Sequence, residues 1–413
     1  MKAGIINIGD EILIGQITNT NSSFIASQLN TINIPTERII VVGDNKEKIL
    51  QAFKEMLFSC DIVFVTGGLG TTNDDITKDC ICHYFNKKMT ENNQILAYLQ
   101  QRMQNRNMPL TKSIRSQALL PENCEVIENH YGLVPGMWIE ENRKILISTP
   151  GVPQELESMM PAILEKLQIR YHQNQYIIHK HIQTFGIAKA MLSDMLINYE
   201  KQLPQNIKLA YLPKIGYTSL RLTGYGISAD LLGKEMEQQV SMLSGIIESY
   251  IFNCEDKSLS QLIADKLNAN HKTLATAESC TGGYIAHLIT SLPGSSTYFK
   301  GGVVAYSNEM KNKLLYVQLP TLESYGAVSK ETAEEMAKNV LAVCHTDYSI
   351  AISGIAGPGG GSDEKPVGTV WISVADKNCI TSQCFSFGSG RERVIRQAAN
   401  RGLLMLYTFI NDK

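Results

Sequence analysis

One stretch of the sequence, residues 276–283, brings a hydroxyl and a thiol together at the predicted start of a helix. The apolar run before it, residues 272–275, predicts a buried strand, and residues 284–289 after it predict the helix. Free backbone N–H groups at a helix N-terminus favour negative charge. The stretch therefore indicates an anion site or an activated nucleophile with an oxyanion site beside it, unless its serine simply caps the helix.

The two candidate nucleophiles in this stretch are Ser279 and Cys280. A serine hydroxyl is a weak nucleophile that needs a neighbouring base, whereas a thiol is intrinsically the better one. Chemistry alone therefore leaves the two residues about equal. Backbone N–H groups from Cys280 through Thr281 and Gly282 to Gly283 would be available to stabilise an oxyanion.

Lys311 is the candidate base for that nucleophile. Residues 301–306 predict a strand, and Ser307 or Asn308 predicts the cap of the next helix, which puts Lys311 near its first turn. The positive end of a helix disfavours an ammonium group, and a neutral lysine is a general base for a hydroxyl. Tyr306 ends the strand at the same edge of the sheet. Taken singly, a solvated lysine and a packed tyrosine are the commoner interpretations.

Two later segments would hold the rest of a substrate. Residues 354–362, beginning at Gly354, form a glycine-rich loop of the kind that closes over a ligand. The last predicted helix opens with three arginines, Arg391, Arg393 and Arg396. Arginines near a helix N-terminus oppose its dipole, and a bound phosphate would offset that cost through bidentate contacts. The alternative is a surface cluster of arginines.

A second polar cluster follows the predicted strands of the N-terminal part. Asp10 and Glu11 come at the end of the first strand, residues 3–9, and a glycine-rich segment, residues 67–75, follows the strand at residues 61–66. Such glycines let a backbone approach a phosphate closely. Clustered carboxylates beside a phosphate suit a hard divalent cation such as Mg²⁺, held partly by substrate oxygens.

Asp74 and Asp75 are the candidate metal ligands of this cluster. The alternative is a tight turn in which one of them caps the following helix. The segment is not a P-loop, because no Gly-Lys-Ser/Thr follows, and its glycine spacing does not match a dinucleotide fingerprint. Residues 148–153 form another strand–loop–helix junction of the phosphate-binding type, with Pro153 at the first helical position.

The order of the predicted elements favours an α/β protein. Strands at residues 3–9, 38–42 and 61–66 alternate with helices at residues 19–29 and 46–58, which predicts a mostly parallel sheet covered on both faces. Ligands bind beyond the C-terminal ends of the strands in such sheets.

The length of 413 residues suits two or three domains. Changes of pattern predict three, at residues 1–170, 171–252 and 253–413, with a polar linker at residues 172–175 and a small α+β unit in the middle. Three histidines near the start of the middle unit are predicted to be surface or packing residues, because no metal-ligand spacing completes them: His172, His179 and His181.

Charge and composition narrow the class of partner. The 38 basic and 40 acidic residues give a net charge of -2, which makes no case for a nucleic-acid or membrane surface. No apolar run approaches a membrane span or the core of a signal peptide. The nine cysteines lack a metal-binding spacing, which favours reduced thiols in a cytoplasm.

Taken together, these motifs resemble those of the CinA family, the competence/damage-inducible protein A family, from end to end. In residues 1–170 the resemblance is carried by residues 9–11, 19–21, 67–70, 73–75 and 149–153. In the C-terminal part it is carried by residues 276–283, 301–302, 306–308, Lys311, 326–329, 353–358, 365–371 and Arg391 onward. The resemblance implies a MogA/MoeA-like α/β domain with a mostly parallel sheet, a small KH-type α+β domain and a C-terminal α/β amidase domain. The middle part lacks a Gly-x-x-Gly loop between its strand and helix, so RNA binding is not expected.

For the C-terminal domain, the resemblance implies hydrolysis of the amide of nicotinamide mononucleotide, giving nicotinate mononucleotide and ammonia, without a cofactor. Carried over by position, Ser279 is the implied nucleophile, favoured over Cys280, and Tyr306 and Lys311 are its activating pair. The residues implied to contact the substrate are Cys280, Thr281, Gly282, Gly283, Gly354, Arg391, Arg393 and Arg396.

For the N-terminal domain, the resemblance implies hydrolysis of ADP-ribose to AMP and ribose 5-phosphate with a divalent metal, Mg, Co or Mn. The implied metal ligands are Asp74 and Asp75. The implied nucleotide site consists of Asp10, Glu11, Asn19, Gly67, Gly68, Gly70, Thr72, Pro150 and Gly151. The chain departs from the family pattern at Thr71, where proline is usual, and at Leu133-Val134.

These inferences predict a cytoplasmic homodimer that acts in pyridine-nucleotide salvage and binds neither nucleic acid nor membrane. One alternative is a protein that binds molybdopterin, or serves as a competence-related adaptor for DNA uptake, without turnover. The near-neutral charge argues against DNA binding. A second alternative is an amidase for another pyridine or nucleotide amide.

Overall fold

The computed structural model describes residues 1–72, 74–171, 176–255 and 257–411. Asn73 of the acidic segment, His172 and the rest of the predicted linker at residues 172–175 lie outside this range. The chain divides into two compact units, the first formed by Met1–Ile177 and Tyr225–Leu232 and the second by Ile178–Gly224 and Gly233–Lys413. The division into three domains stays a prediction.

The N-terminal 170 residues alternate strands and helices as predicted. In chain order the elements are β1 (Ala3–Ile8), α1 (Asp10–Leu13), α2 (Thr20–Thr31), β2 (Thr36–Val42), α3 (Lys46–Ser59), β3 (Ile62–Thr66), α4 (Thr77–Tyr84), β4 (Met89–Glu91), α5 (Asn93–Asn105), α6 (Lys112–Arg115), β5 (Leu119–Pro121), β6 (Glu125–Ile127), β7 (Gly136–Glu141), β8 (Lys144–Thr149) and α7 (Pro153–Arg170). The predicted cap of α2 is confirmed, because the Asn19 side chain accepts from the Ser22 amide. Pro153 is at the start of α7, where its missing N–H costs nothing.

The main sheet of this unit has the strand order β2-β1-β3-β8-β7-β6. The first four strands are parallel, and β7 and β6 return antiparallel. Alternate side chains of β1 go to opposite faces, so that Ile6 joins the core under α3 while Ile5 joins the core under α2 and α7. The C-terminal ends of β1, β2, β3 and β8 therefore meet at one edge, as the sequence predicted.

A four-stranded sheet follows, with the order β10-β11-β9-β12. The elements of this part are β9 (Tyr176–Thr184), α8 (Lys189–Gln202), β10 (Ile207–Lys214), β11 (Tyr217–Gly226), α9 (Ala229–Ile247) and β12 (Ile251–Asn253). The pairs β10–β11 and β12–β9 are antiparallel. An α+β composition was predicted here and is confirmed, whereas the KH-type assignment stays a prediction.

The C-terminal part forms a five-stranded sheet with the order β14-β13-β15-β16-β17. Its elements are α10 (Leu259–Ala269), β13 (Leu274–Glu278), α11 (Tyr284–Thr290), β14 (Phe299–Val304), α12 (Asn308–Leu315), α13 (Leu319–Tyr325), α14 (Lys330–Cys344), β15 (Tyr348–Gly354), β16 (Thr369–Ala375), β17 (Ile380–Ser386) and α15 (Arg391–Asn411). The predicted bounds of two strands need correction. β13 continues through Glu278 rather than ending at Ala275, and β14 ends at Val304, two residues before Tyr306.

Within the second unit, side chains of α15 join the four-stranded sheet to the five-stranded one. The Arg401 guanidinium lies 4.8 Å from the ring centre of Phe185, directly after β9, and 4.7 Å from that of Phe385 in β17. Asn400 donates to the Ile215 carbonyl at 2.8 Å. These contacts explain why residues 178–224 cluster with the C-terminal sheet.

Among the helices of the described residues, none combines the length and the apolar character needed to cross a membrane.

Gly67, at the end of β3, has a structural reason to be glycine. Its φ is +103°, and a Cβ atom there would overlap the carbonyl oxygen of Ile8 in the neighbouring strand. The sequence interpretation assigned this glycine to phosphate approach, and the packing against β1 is a second, independent requirement.

We expect Gly67→Ala to destabilise the protein more than Gly15→Ala does. Gly15 has φ +75° with open space around its Cβ position, so its substitution adds only the left-handed backbone cost of about 1 kcal/mol. Gly67→Ala has a similar cost for its left-handed backbone and, in addition, brings the new Cβ atom into overlap with the carbonyl oxygen of Ile8. Urea midpoints followed by circular dichroism would compare the two variants, and equal midpoints would contradict the packing argument.

Candidate active site

The topology of the C-terminal sheet brings the predicted catalytic segments to one edge. β13 is parallel to β14 and β15, with Glu278 opposite Val304 and Ile352. β16 and β17 reverse direction twice, so β17 ends at the same edge as β15. The segments that follow β13, β14, β15 and β17 therefore emerge side by side.

Ser279 and Lys311 are in direct contact at this edge. Lys311 Nζ lies 2.8 Å from Ser279 Oγ and donates to the Ala305 carbonyl at 3.0 Å. Both side chains are shielded from solvent, with Ser279 6% exposed and Lys311 1% exposed. The predicted nucleophile and the predicted base are thus within hydrogen-bonding distance.

The helix that carries Lys311 begins as the sequence predicted. Ser307 is the N-cap of α12 and accepts from the Met310 amide. Burial lowers the pKa of Lys311 below its ordinary value of 10.5, because the ammonium form would lose its hydration. The sequence argument expected a lowered pKa from the helix end, so its direction agrees but its cause is corrected to burial.

Cys280 is beside Ser279, but its thiol is poorly reactive. Burial raises the pKa of its thiol to about 12, against small opposing effects from its own amide and from the charge of Lys311. The thiolate is the reactive form of cysteine, so a thiol that stays protonated at neutral pH is a poor nucleophile. This difference favours Ser279, where the sequence chemistry alone left the choice open.

The N-terminus of α11 is already occupied by a carboxylate of the same chain. Glu278 is fully buried and accepts from the amides of Gly283, Ile285 and Ala286 at 3.0, 3.1 and 2.8 Å. The expectation that this helix end is free for an anion is therefore wrong. An oxyanion site has to come from the turn before the helix.

Two backbone N–H groups of that turn remain for an oxyanion. Gly282 donates to the Ser279 carbonyl, and Gly283 donates to Glu278. Within the described part of the chain, the Cys280 amide faces only its own thiol and the Thr281 amide has no acceptor. The predicted donors from Cys280 to Gly283 thus reduce to Cys280 and Thr281.

Tyr306 and Arg391 form a bridge at the rim of the site. Arg391 Nη2 donates to the Tyr306 hydroxyl at 2.5 Å, and Nη1 donates to the Gly357 carbonyl at 2.9 Å. Tyr306 is 56% exposed, and its hydroxyl is held by Arg391 rather than by Ser279 or Lys311. Arg391 thereby links the segment after β14 to the glycine-rich loop after β15.

The other predicted substrate contacts differ in their exposure and in the protein groups that they already contact. Arg396 is in an exposed ion pair with Glu392 at 2.7 Å, whereas Arg393 is exposed beside Arg391. Gly354 ends β15, and a Cβ there would press on Val370 of the adjacent strand, so packing alone requires a glycine. Of the three arginines, Arg391 is held at the rim of the site by its bonds to Tyr306 and Gly357. Arg396 lies over the ring of Tyr284, 5.7 Å from its centre.

A cavity of about 580 Å³ lies at the predicted edge of the N-terminal sheet. The predicted residues that line it are Glu11, Asn19, Gly67, Gly68, Gly70, Asp74, Asp75, Pro150 and Gly151. Asp10 and Thr72 are not among its lining residues. Asn21 holds the edge together by donating to Thr66 Oγ1 at 3.1 Å and to the Gly151 carbonyl at 2.8 Å.

Asp75 is used by its own loop. Its carboxylate accepts from the amides of Gly70 and Thr72 at 2.7 and 2.8 Å and from the Thr72 hydroxyl. The tight turn of the alternative interpretation is confirmed. Its helix cap is not, because the N-cap of α4 is Ile76 and no side chain caps that helix. In the described ranges, no three His, Cys, Asp or Glu residues converge to hold a metal ion.

Sequence reasoning missed Asp44, which follows β2 at the same edge and lines the cavity. Burial raises the pKa of Asp44, and the charges of Asp10, Glu11 and Asp74 add to the effect. The carboxylates of Asp10, Glu11 and Asp74 therefore repel that of Asp44 at this edge. The signal available in the sequence was the Gly43-Asp44 pair directly after a predicted strand.

Lys78 was also missed. It is 8% exposed behind the glycine loop and donates to Gln117 Oε1 at 2.8 Å, while Gln117 donates to the Gly70 carbonyl at 2.6 Å. Burial lowers the pKa of Lys78 to about 8, although the nearby Asp75 charge opposes the shift. A lysine at an inward position of a helix was the only sequence signal.

Comparison with known proteins assigns the two ends of the chain to two different family models. Residues 256–410 match the model of the CinA C-terminal domain, and residues 4–169 match that of a probable molybdopterin binding domain. A CinA-like protein of Cytophaga hutchinsonii is 43% identical over 398 residues, covering 96% of this chain and 95% of its own. The chain belongs to the CinA family.

Another full-length relative and a solved structure of a shorter chain show the same family similarity. A CinA-like protein of Flavobacterium psychrophilum is 42% identical over 410 residues, with 98% of each chain covered. Among solved structures, a competence-damaged protein (CinA) superfamily protein of Klebsiella pneumoniae is 35% identical, with a TM-score of 0.37. It covers 38% of this chain and 97% of its own.

Proposed function

We propose that the C-terminal site hydrolyses the amide of nicotinamide mononucleotide to nicotinate mononucleotide and ammonia. The observation that carries the proposal is the 2.8 Å contact between Lys311 Nζ and Ser279 Oγ, buried from solvent. A serine next to a lysine that burial pushes toward neutrality is an activated nucleophile. The chemistry uses side-chain and backbone groups only, and no cofactor is proposed.

In the proposed acylation step, neutral Lys311 takes the Ser279 proton as Oγ attacks the amide carbon. The carbonyl oxygen becomes an oxyanion, for which the amides of Cys280 and Thr281 are the available donors. The intermediate then collapses, the C–N bond breaks, and Lys311 returns the proton to the departing ammonia. Water attacks the acyl-enzyme with Lys311 again as base, releasing the carboxylate and restoring Ser279.

The rest of the substrate needs an anchor for its phosphate. Arg391 and Arg393 at the start of α15 are the proposed contacts, supported by their exposure at the same sheet edge. Tyr306 is proposed to assist proton transfer, as the family resemblance implies, with Arg391 holding its hydroxyl. A cytoplasmic homodimer acting in pyridine-nucleotide salvage completes the proposal.

We expect Ser279→Ala to lower kcat for ammonia release from nicotinamide mononucleotide by roughly 10⁴-fold, because the nucleophile is lost. Cys280→Ala is the matched control, since the buried thiol stays protonated, and it should keep most of the activity. A coupled ammonia assay with and without EDTA measures both variants. Activity retained in Ser279→Ala and lost in Cys280→Ala would reverse the assignment.

The pH profile tests the base. Only neutral Lys311 accepts a proton, so kcat/KM should rise with pH through the pKa of Lys311, with the midpoint of the rise below 10.5. Lys311→Met should remove both the activity and this rise. A rate that is constant down to acid pH would rule out a lysine base.

A second candidate function is favoured by the N-terminal cavity. We propose that it binds ADP-ribose and hydrolyses it to AMP and ribose 5-phosphate. The glycine loop offers a surface for phosphates, but Asp10, Glu11, Asp44 and Asp74 would repel a pyrophosphate. A divalent cation would relieve that repulsion, and substrate oxygens would have to complete its ligands, because the described carboxylates alone form no metal set.

We expect Asp44→Asn and Asp74→Asn each to lose AMP formation from ADP-ribose while ammonia release is unchanged. Asp79→Asn is the matched control, because Asp79 is exposed on α4 outside the cavity. Chromatographic detection of AMP with Mg²⁺, Mn²⁺ or Co²⁺ added measures the effect. Asp75→Asn is less informative, since it also removes the bonds that fold the glycine loop. AMP formation by Asp44→Asn and Asp74→Asn at the wild-type rate would overturn the roles of these two carboxylates. Wild-type protein that forms no AMP with any of the three metals would refute the second function itself.

A further inference from the structure

Glu278 immediately precedes the proposed nucleophile, yet the mechanism above gives it no role. Its side chain is 0% exposed, and its two carboxylate oxygens accept three backbone N–H groups from the first turn of α11. The strand thus reaches across the nucleophile turn and holds the helix that follows it.

A buried carboxylate is an energetically unfavourable way to cap a helix if capping is its only role. A buried carboxylate loses its hydration, and charge-assisted hydrogen bonds must offset that loss. Other side-chain caps in the described residues are neutral. Ser258 at the start of α10, which accepts from the Gln261 amide, is an exposed example. At α11 the N-cap is Gly283, with φ +95° and no side chain to do the same work.

The turn between Glu278 and the helix is fixed at both ends. The Ser279 amide donates to the Ile352 carbonyl in the neighbouring strand, and the Gly282 amide donates back to the Ser279 carbonyl. The Glu278 carboxylate then sets where Gly283 lies. With the strand end and the helix start both held, Ser279 has little freedom to move away from Lys311.

We infer that Glu278 is the positioning residue of the nucleophile turn. By holding the start of α11, it keeps Ser279 Oγ against Lys311 Nζ and leaves the amides of Cys280 and Thr281 for the oxyanion. This role rests on the proposed amidase function. Glu278 does not touch the reacting atoms, and it acts through the backbone of the turn.

Glu278→Gln is the primary test. The glutamine carbonyl can still accept from Gly283 and Ile285, but its NH₂ group would face the Ala286 amide, donor against donor. We expect kcat for ammonia release to fall on the order of 10²-fold, as for a reacting group displaced by about 1 Å. KM should stay within about twofold, because the phosphate contacts on α15 are separate from the turn.

A fluorophosphonate probe reads the nucleophile without the amide substrate. Ser279 Oγ forms a bond to phosphorus, fluoride leaves, and Lys311 takes the proton. The rate of labelling at Ser279, identified by peptide mass spectrometry, should fall in Glu278→Gln in parallel with kcat. All rates are measured well below the melting temperature of every variant.

Ser258→Ala is the matched control, because it removes a helix cap of the same unit away from the site. It should lower the melting temperature without slowing labelling or turnover. If Glu278→Gln does not fold, Glu278→Asp replaces it, since its carboxylate is one methylene too short and should give a smaller loss.

The outcomes separate the two claims. Wild-type protein that is neither labelled at Ser279 nor active on the mononucleotide would refute the proposed function itself. Active wild type together with wild-type rates in the folded Glu278 variant would overturn the positioning role. If labelling and turnover fall no further in the Glu278 variant than in Ser258→Ala, the positioning role is overturned too. General destabilisation of the fold would then be sufficient to explain the slower rates.

Discussion

A lysine amine shut off from water, held against a serine hydroxyl, is the interaction on which the C-terminal site depends. Lys311 has almost no contact with solvent, so its charged form is disfavoured and its lone pair is available to Ser279. The same burial keeps the neighbouring thiol of Cys280 protonated. Burial thus favours the neutral lysine that activates the Ser279 hydroxyl, and it also keeps the Cys280 thiol in its unreactive protonated form.

Glycine turns in both units use a carboxylate in the same way. Asp75 accepts the amides of Gly70 and Thr72, and Glu278 accepts three amides at the start of α11. In each case the negative charge that is visible in the sequence is consumed by the backbone. Residue type and spacing do not show that a carboxylate is bonded to the backbone amides of its own turn. For this reason the sequence interpretation assigned Asp75 to a metal and gave Glu278 no role.

Much of the fold was predictable because its signals are local. Continuous apolar runs located β1, β3 and β13 to within a few residues, and the caps at Asn19 and Ser307 were visible as residue types. The contact of Lys311 with Ser279 could be anticipated only as a shared sheet edge. The burial of Lys311, the repulsion around Asp44 and the hold of Arg391 on Tyr306 depend on elements distant in sequence, which no local pattern encodes.

The position of α15 in the core has a consequence for the order in which the site forms. The sheet edge receives Ser279 and Lys311 from β13 and α12, which are synthesised well before Arg391 of α15. Buried side chains of α15, among them Val394, Ala398 and Leu403, belong to the core that supports the same sheet. Because domains generally fold as units, the sheet that pairs the serine with the lysine waits for α15, so the pair and its arginine rim form together.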